Sequence, residues 1–235
     1  MDIYTLPYRL KSRDVNMFSR LRVSQLFELL QEAATDHSDL LGAGVHDIRQ
    51  KGLMWVLARQ NVEIARMPFY DEAITIETWP SETVHSLYPR YYRLLDATGK
   101  PIIQSSAIWM LADLNTRTLV PSSRSGIEYS FEKRGCEIAL PSPPRSFCTD
   151  KKQSFTVPFS YVDMNGHMNN TRYFDLADNL SPAAAEGRDP KRILVEYSAE
   201  LRVGQSCELL YGQEGERFFL KAGGEKPLFR IVIDY

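Results

Sequence analysis

The sequence has few of the residues that build disulfide frameworks or metal centres. Its three cysteines, Cys136, Cys148 and Cys207, are far apart and odd in number. That is not the pattern of paired disulfide bonds or of a zinc knuckle. The four histidines are also dispersed, without paired ligand spacing. We therefore predict a reduced protein that binds no metal.

Long apolar runs and a charge excess are absent too. No stretch approaches the roughly 20 consecutive apolar residues that a membrane-spanning helix needs, and the first residues lack the apolar segment of a signal peptide. We therefore expect a cytoplasmic protein without membrane insertion. Lysine and arginine total 28 against 30 aspartate and glutamate residues, a net charge of -2. This balance argues against nucleic acid as a partner, because phosphate binding usually requires a basic excess.

The sequence does contain a weak internal repeat. Residues 13–20 and 162–169 align with an Asp and an Asn at equivalent positions, but Phe18 stands where the second copy has His167. A strand pattern precedes each copy, and a helical stripe and several strands follow it. This organisation predicts two similar units. Because the first unit lacks the histidine, we expect its copy to be catalytically silent.

Hydrophobic periodicity places the elements of both units. In the first half, it predicts a helix over 23–41 and strands over 53–65, 73–79, 88–95 and 102–112. In the second half, it predicts a strand over 154–161, a helix that begins near Asn169 or Asn170 and ends at Ser181, and strands over 193–202, 207–211, 217–221 and 228–234. Residues 124–152 hold three closely spaced prolines and little periodicity, which is typical of a linker. A long helix beside mostly antiparallel strands, present twice, predicts an α+β fold in which each helix packs on a curved sheet.

One segment carries a family resemblance. Residues 161–173, YVDMNGHMNNTRY, resemble the acyl-ACP thioesterase signature D-x-N-x-H-x-N-N-x-x-Y at all six fixed positions. The first half is similar to the same family over 105–113, SSAIWMLAD, and at Thr116 and Arg117. The resemblance implies two tandem hot-dog domains, each a long central helix wrapped by a curved antiparallel sheet. Residues 1–123 would form an N-terminal domain with the acyl-chain pocket, 124–152 a linker, and 153–235 the catalytic domain.

The same resemblance implies an activity. It is the hydrolysis of fatty acyl-acyl-carrier-protein to free fatty acid and carrier protein in fatty acid biosynthesis, without a cofactor, and the partner is acyl carrier protein. A hot-dog thioesterase for acyl-CoA, a hot-dog dehydratase and a non-catalytic acyl-binding or sensing protein remain alternatives. Paired domains within one chain are compatible with a monomer, and a homodimer of the whole chain is equally compatible.

A glutamate is expected after the catalytic helix. Family members place a Glu there, often followed by Cys; here Glu200 fits the glutamate, and Leu201 stands where the cysteine would be. This difference favours a carboxylate-based mechanism over a cysteine nucleophile. Glu196 is the alternative match. The even spacing would put both glutamates on the same face of one strand, so alternation does not separate them.

Thioester hydrolysis needs an activated water or nucleophile and donors for the developing oxyanion. We assign Asp163 as nucleophile or orienting carboxylate and Glu200 as general base. Asn165 and His167 would bind the carbonyl group and the water. The helix N-terminus near Asn169 and Asn170 would present further backbone N–H donors.

The acyl chain needs a long apolar slot, since each buried CH2 group contributes about 0.8 kcal/mol. Large apolar residues of the first half are candidates for lining it, and core packing is their other possible role. These candidates are Phe27, Leu30, Met54, Trp55 and Trp109.

Overall fold

The computed structural model describes residues 2–131, 134, 137–145, 149–223 and 226–235. Cys136 and Cys148, and with them the prediction that they form no disulfide, lie outside the described residues. Cys207 is a free, half-buried thiol whose pKa is raised by burial.

The described chain consists of strands and a few helices. Its helices are α1 (Val23–Leu40), α2 (Val45–Gln50), α3 (Ser122–Ser125), α4 (Arg172–Leu180) and α5 (Pro182–Ala185). The strands of the first half are β1 (Tyr4–Arg9), β2 (Leu53–Ile64), β3 (Ala73–Pro80), β4 (Tyr88–Leu95), β5 (Pro101–Asp113) and β6 (Leu119–Val120). Those of the second half are β7 (Lys151–Thr156), β8 (Arg192–Tyr197), β9 (Ser206–Glu214), β10 (Arg217–Ala222) and β11 (Phe229–Asp234).

All these strands belong to one large antiparallel sheet. Their order is β1-β3-β4-β5-β2-β8-β11-β10-β9-β7, with β6 paired to β5. The two halves of the chain meet where β2 pairs with β8, over a register that runs from Arg59 opposite Glu196 to Glu63 opposite Arg192. The sheet is therefore continuous from one half of the chain to the other.

The long helices bury their apolar stripes against this sheet and against each other. In α1, Leu26, Leu30 and Ala33 follow the helical period, and each has at most 1% of its surface exposed. The ring of Phe27 stacks on Phe174 of α4, with centroids 3.8 Å apart. One hydrophobic core consequently contains residues from both halves of the chain.

An ion-pair cluster reinforces the junction between the halves. Glu196 of β8, which is 7% exposed, accepts hydrogen bonds from Arg59 of β2 at 2.9 Å and from Arg230 of β11. Because both arginines are themselves partly buried, the carboxylate neutralises charge that the sheet would otherwise leave unpaired. Glu196 thus joins three neighbouring strands.

Several predicted boundaries differ from the structure. The predicted strand 193–202 ends at Tyr197, since Ser198 and Ala199 both donate to the carbonyl of Leu228 and the chain then leaves the sheet. The predicted strand 154–161 corresponds to β7, which ends at Thr156; a short 3-10 turn covers Phe159–Tyr161.

Two helical predictions also need correction. Helix α4 begins at Arg172, after Asn169 and Asn170. Helix α2 lies outside the predicted helices, because Gly42 and Gly44, residues that favour the end of a helix, follow the predicted helix 23–41. No helix in the described ranges is long and apolar enough to cross a membrane.

Candidate active site

A tight hairpin loop presents the first three predicted catalytic residues. Val162 bridges to Met168, and within this frame the Asp163 N–H donates to the His167 carbonyl at 3.0 Å. The loop reverses at Gly166, whose φ of +81° suits glycine because it has no Cβ. The Asp163 carboxylate accepts the Asn165 N–H at 2.8 Å, as in an Asx turn. The loop therefore fixes Asp163, Asn165 and His167 relative to one another.

Backbone pairing brings Glu200 to this loop. The Met168 N–H donates to the carbonyl of Leu201, and His167 forms a bridge with Arg202. As a result, Nε2 of His167 lies 3.6 Å from Oε1 of Glu200. The departure of the chain from the sheet after Tyr197 makes this approach possible.

The His167 ring is left with an unused polar atom. Its side chain is 14% exposed, and Nε2 is buried without a hydrogen-bond partner among the described residues. Buried polar atoms are nearly always hydrogen-bonded in folded proteins, and exceptions are typical of functional sites. His167 and Glu200 both line the cavity described below.

An arginine of the first half holds Glu200. Nη1 of Arg117 donates to Oε1 of Glu200 at 3.0 Å, and Nη2 of Arg202 lies 3.8 Å from Oε2. Arg117 follows β5 and has a φ of +59°, an uncommon conformation for a residue with a side chain. A turn organised by Asp113, whose carboxylate accepts the N–H groups of Asn115 and Thr116, leads into it; these hydrogen bonds lower the pKa of Asp113.

A second arginine of the first half orients Asn165. Nη2 of Arg49, in α2, donates to Oδ1 of Asn165 at 2.8 Å. Because a guanidinium group can only donate, it fixes the amide oxygen toward α2 and leaves the NH2 group on the other side. That NH2 group has no partner in the part of the chain that the structure describes, so it is available as a donor.

The sequence alone predicts the contact of neither arginine. Arg49 and Arg117 lie 116 and 83 residues from their partners. Arg117 is among the residues that carry the family resemblance in the first half, and Arg49 lies in α2, outside the predicted helices. Apart from that resemblance, the only signal is the positive charge of each residue in a loop or short helix.

A cavity of about 610 Å³ adjoins this cluster. Asp163, Asn165, His167 and Glu200 all line it. Four of the seven predicted substrate-binding residues line it as well: Met54, Trp55, Trp109 and Asn170. The structure thus brings the predicted catalytic residues together at an apolar wall built from β2 and β5.

The other three predicted binding residues lie elsewhere. Phe27 and Leu30 are in the core and do not line this cavity. Oδ1 of Asn169 accepts the Thr171 N–H and its hydroxyl hydrogen, both at 2.9 Å. The Arg172 N–H donates to the Asn169 carbonyl. The start of α4 therefore offers fewer unbonded N–H groups than predicted, since the loop itself uses them.

Glu196, the alternative glutamate, does not line the cavity. Both of its oxygens are occupied by Arg59 and Arg230 in the sheet. Tyr197, the next residue, instead donates its hydroxyl hydrogen to the Asn170 carbonyl at 2.7 Å and anchors the loop before α4. Burial raises the pKa of Tyr197 and of Tyr173 beside it, so both hydroxyls keep their protons.

Comparison with known families matches both halves of the chain. Residues 1–123 match the family model described as acyl-ACP thioesterase N-terminal domain. Residues 146–225 match the one described as acyl-ACP thioesterase C-terminal domain. A curated relative, the chloroplastic palmitoyl-acyl carrier protein thioesterase of Arabidopsis thaliana, is 24% identical over 214 residues, which are 84% of this chain and 52% of the relative. The chain thus spans about half the length of the curated relatives it matches.

Solved structures have the same fold. An acyl-ACP thioesterase from Bacteroides thetaiotaomicron superimposes with a TM-score of 0.87 at 23% identity, over 99% of this chain and 97% of the other. The 12:0-ACP thioesterase from Umbellularia californica superimposes with a TM-score of 0.81 at 19% identity, over 99% of this chain and 96% of the other. At these identities the likeness establishes a common fold.

Proposed function

Because this chain belongs to the acyl-ACP thioesterase family, we propose that it hydrolyses fatty acyl-acyl-carrier-protein to a free fatty acid and the carrier protein. The observation that carries the proposal is Nε2 of His167, which has no hydrogen-bond partner among the described residues and lies 3.6 Å from the Glu200 carboxylate, beside an apolar cavity. The cavity would hold the acyl chain, and the polar cluster would receive its thioester.

We propose that the large antiparallel sheet and its two long helices form tandem hot-dog domains. The N-terminal domain would comprise residues 1–123, the linker 124–152 and the catalytic domain 153–235. In support, the chain has the fold of known acyl-ACP thioesterases, and its longest helices, α1 and α4, lie one in each half. The pairing of β2 with β8 would then be the contact between the two domains.

The proposed reaction is the attack of one water molecule on the thioester carbonyl. Glu200, as general base, accepts a proton from the water while the oxygen attacks the carbonyl carbon. The NH2 group of Asn165 and an N–H of His167 stabilise the developing oxyanion. When the tetrahedral intermediate collapses, the C–S bond breaks and the proton passes from Glu200 to the departing sulfur. Water and thioester thus give acid and thiol, without a cofactor.

Asp163 has an orienting role in this proposal. Its carboxylate accepts the Asn165 N–H, and its backbone closes the turn with His167. A carboxylate engaged in this way holds the loop that carries the two oxyanion donors. Direct attack by Asp163 to form an anhydride is the competing role.

The test is the release of free thiol from matched acyl-ACP and acyl-CoA thioesters. We expect turnover that favours the carrier protein, a kcat about 100- to 10,000-fold lower in Glu200→Gln, and one about 100- to 1,000-fold lower in His167→Ala. Substitutions in exposed segments serve as matched controls, Glu208→Gln for the glutamate and His85→Ala for the histidine. Circular dichroism checks that every variant is folded.

Each contrary result has a definite meaning. A preference for acyl-CoA would mean that the protein hydrolyses thioesters, but that coenzyme A and not the carrier protein holds the acyl group. Tight binding of acyl thioesters without thiol release would mean that the protein binds acyl groups and does not hydrolyse them. A normal kcat in a folded Glu200→Gln variant would exclude Glu200 as the general base.

A further inference from the structure

The cavity has a polar end away from the catalytic cluster. Arg90 of β4 lines it and is only 5% exposed. In the sheet, β5 and β2 separate β4 from β8, which leads to Glu200. Three strand intervals of about 4.8 Å separate β4 from β8 by about 14 Å across the sheet.

No described carboxylate neutralises this guanidinium group. Its hydrogen bonds go to Nδ1 of His37 at 3.3 Å, to Oγ1 of Thr78 at 3.3 Å and to Oγ of Ser38 at 3.1 Å. None of these three acceptors carries a negative charge. The part of the chain that the structure describes contains no ion pair of Arg90. Burial lowers its pKa, although an arginine in a protein keeps its proton.

Other polar groups surround the same end. The Tyr129 hydroxyl is buried there beside Arg90 and Ser38, and it forms no hydrogen bond of standard geometry among the described residues. On helix α1, Ser38 accepts a hydrogen bond from Arg90, and Thr35, one helical turn earlier, also lines the cavity. An end built only for the methyl terminus of a saturated chain would not need these groups.

An apolar chain that reached this end would displace water from Arg90 without offering a hydrogen-bond acceptor in its place. An unpaired buried charge is unfavourable. A ligand oxygen at the same place would accept a hydrogen bond from the Arg90 guanidinium group, which lines the cavity. A carboxylate would also neutralise the charge, and planar guanidinium and carboxylate groups match in geometry.

We infer that the Arg90 end of the cavity is a subsite for an oxygen acceptor, best a carboxylate, on the distal part of the acyl group. The substrate class is therefore acyl thioesters with an oxygenated chain end. This inference rests on the proposed hydrolysis at the other end of the cavity, which supplies the thioester site. Leu57, Trp109 and Met110 line the same cavity and would contact the methylene groups of the chain.

The experiment compares matched acyl-ACP thioesters of increasing chain length, each made with a methyl, a hydroxyl or a carboxylate end. We measure kcat/KM and take the ratio of carboxylate-ended to methyl-ended substrate at each length. The ratio should rise above about ten at the length that reaches Arg90, since one charge-assisted hydrogen bond contributes about 1.5–3 kcal/mol. The hydroxyl-ended series should lie between the other two.

Arg90→Met should bring this ratio to one or below, and Arg90→Lys should retain part of the preference. Tyr129→Phe, which leaves Arg90 in place, should lower the ratio several-fold and gives a second measurement should Arg90→Met not fold. The matched control is Arg93→Met on the same strand, where Arg93 pairs with Glu77 and does not line the cavity. The control should keep the wild-type ratio.

A ratio at or below one for the wild type at every length would overturn the inference, as would an unchanged ratio in folded Arg90→Met. Failure of the proposed function has a different signature, because no substrate of the series, whatever its chain end, would then release thiol. A ratio of rates for two substrates also separates a loss of selectivity from a general loss of active protein.

Discussion

Asn165 and Glu200, which belong to the second half of the chain, are each held by an arginine of the first half. The Arg49 guanidinium fixes the amide oxygen of Asn165, and Arg117 fixes the Glu200 carboxylate. Both are hydrogen bonds with a charged group, which are stronger than neutral ones. The orientation of the proposed catalytic groups therefore depends on residues that do not belong to the signature motif.

Arg49 should act as a positioning residue for Asn165. We expect Arg49→Leu to lower kcat about ten- to 100-fold with little change in KM, because a hydrogen bond to a charged group contributes about 1.5–3 kcal/mol. Arg49→Lys should restore part of the loss. Steady-state kinetics measures both, with Arg124→Leu as a control at an exposed residue that has no ion pair within the described residues.

A double-mutant cycle separates this role from a structural one. If Arg49 acts through the amide, Arg49→Leu should add little to the defect of Asn165→Ala. Fully additive defects would mean that Arg49 acts elsewhere. Such a result would mean that Arg49 is not the residue that orients the Asn165 NH2 group.

At the scale of elements, the pairing of β2 with β8 is the main structural joint. Five residue pairs connect the two strands, and the Glu196 carboxylate links them to β11. Glu196 and Glu200 are only four residues apart, yet one lies inside the sheet and the other beyond its end. The end of β8 at Tyr197 gives them different roles.

Glu196→Gln should therefore lower the stability of the folded protein and leave its kcat unchanged. Removal of the buried carboxylate charge leaves Arg59 and Arg230 without their partner, and we expect the free energy of unfolding to fall by about 2–4 kcal/mol. Chemical denaturation measures this change, and Glu63→Gln, exposed on β2, is the matched control, expected to stay within about 0.5 kcal/mol. A large loss of kcat with unchanged stability would contradict this assignment.

Alternation along the sequence predicted β2 to β5 closely, whereas β1 and β6 had no predicted range. β4 has the predicted bounds, β2 and β3 differ from prediction by one residue at one end, and β5 differs by one residue at each end, because their apolar faces pack on α1 and the core. It failed after Tyr197, where two N–H groups leave the ladder for the Leu228 carbonyl. The end of this strand depends on the turn that carries Leu228, which is distant in sequence, so no local pattern in the sequence predicts it.

The candidate site was predictable only in part, for the same reason. The motif itself named Asp163, Asn165 and His167, whose mutual geometry is local to one hairpin. The contacts of Arg49 and Arg117 arise from chain segments that meet only after folding, so no spacing in the sequence encodes them. Phe27 lies in the core and not in the wall of this cavity, and the sequence does not separate these roles, because a large apolar side chain has the same pattern in both.

For the molecule as a whole, one carboxyl group should make stability depend on pH. Burial, and the nearby Asp175 carboxylate, raise the pKa of Asp178 in α4 to about 7, against a partial opposing effect of Arg22. Its ordinary value is 3.8. Between these values the folded state binds more protons than the unfolded state, so stability is greatest below the lower value and falls as the pH rises toward 7.

Asp178→Asn should remove most of this dependence. We expect the variant to be more stable than the wild type above pH 7, by about 1–3 kcal/mol, and to show little difference near pH 4. Denaturant titrations at several pH values measure the effect, with Asp150→Asn, at an exposed position in the segment before β7, as the control. A wild-type stability that stays constant or rises between pH 4 and 7 would contradict the raised pKa.

The cross-chain arginines also limit how such a molecule can change by recombination. If the first half of this protein were joined to the second half of a relative, the strands that correspond to β2 and β8 could still pair through their backbones. The chimera would nevertheless inherit arginines from one parent and their amide and carboxylate partners from the other. Unless the two parents had the same geometry at these contacts, we expect the hybrid to fold but to have an inactive site. The two halves must therefore be exchanged together, although their sequences resemble two copies of one repeat.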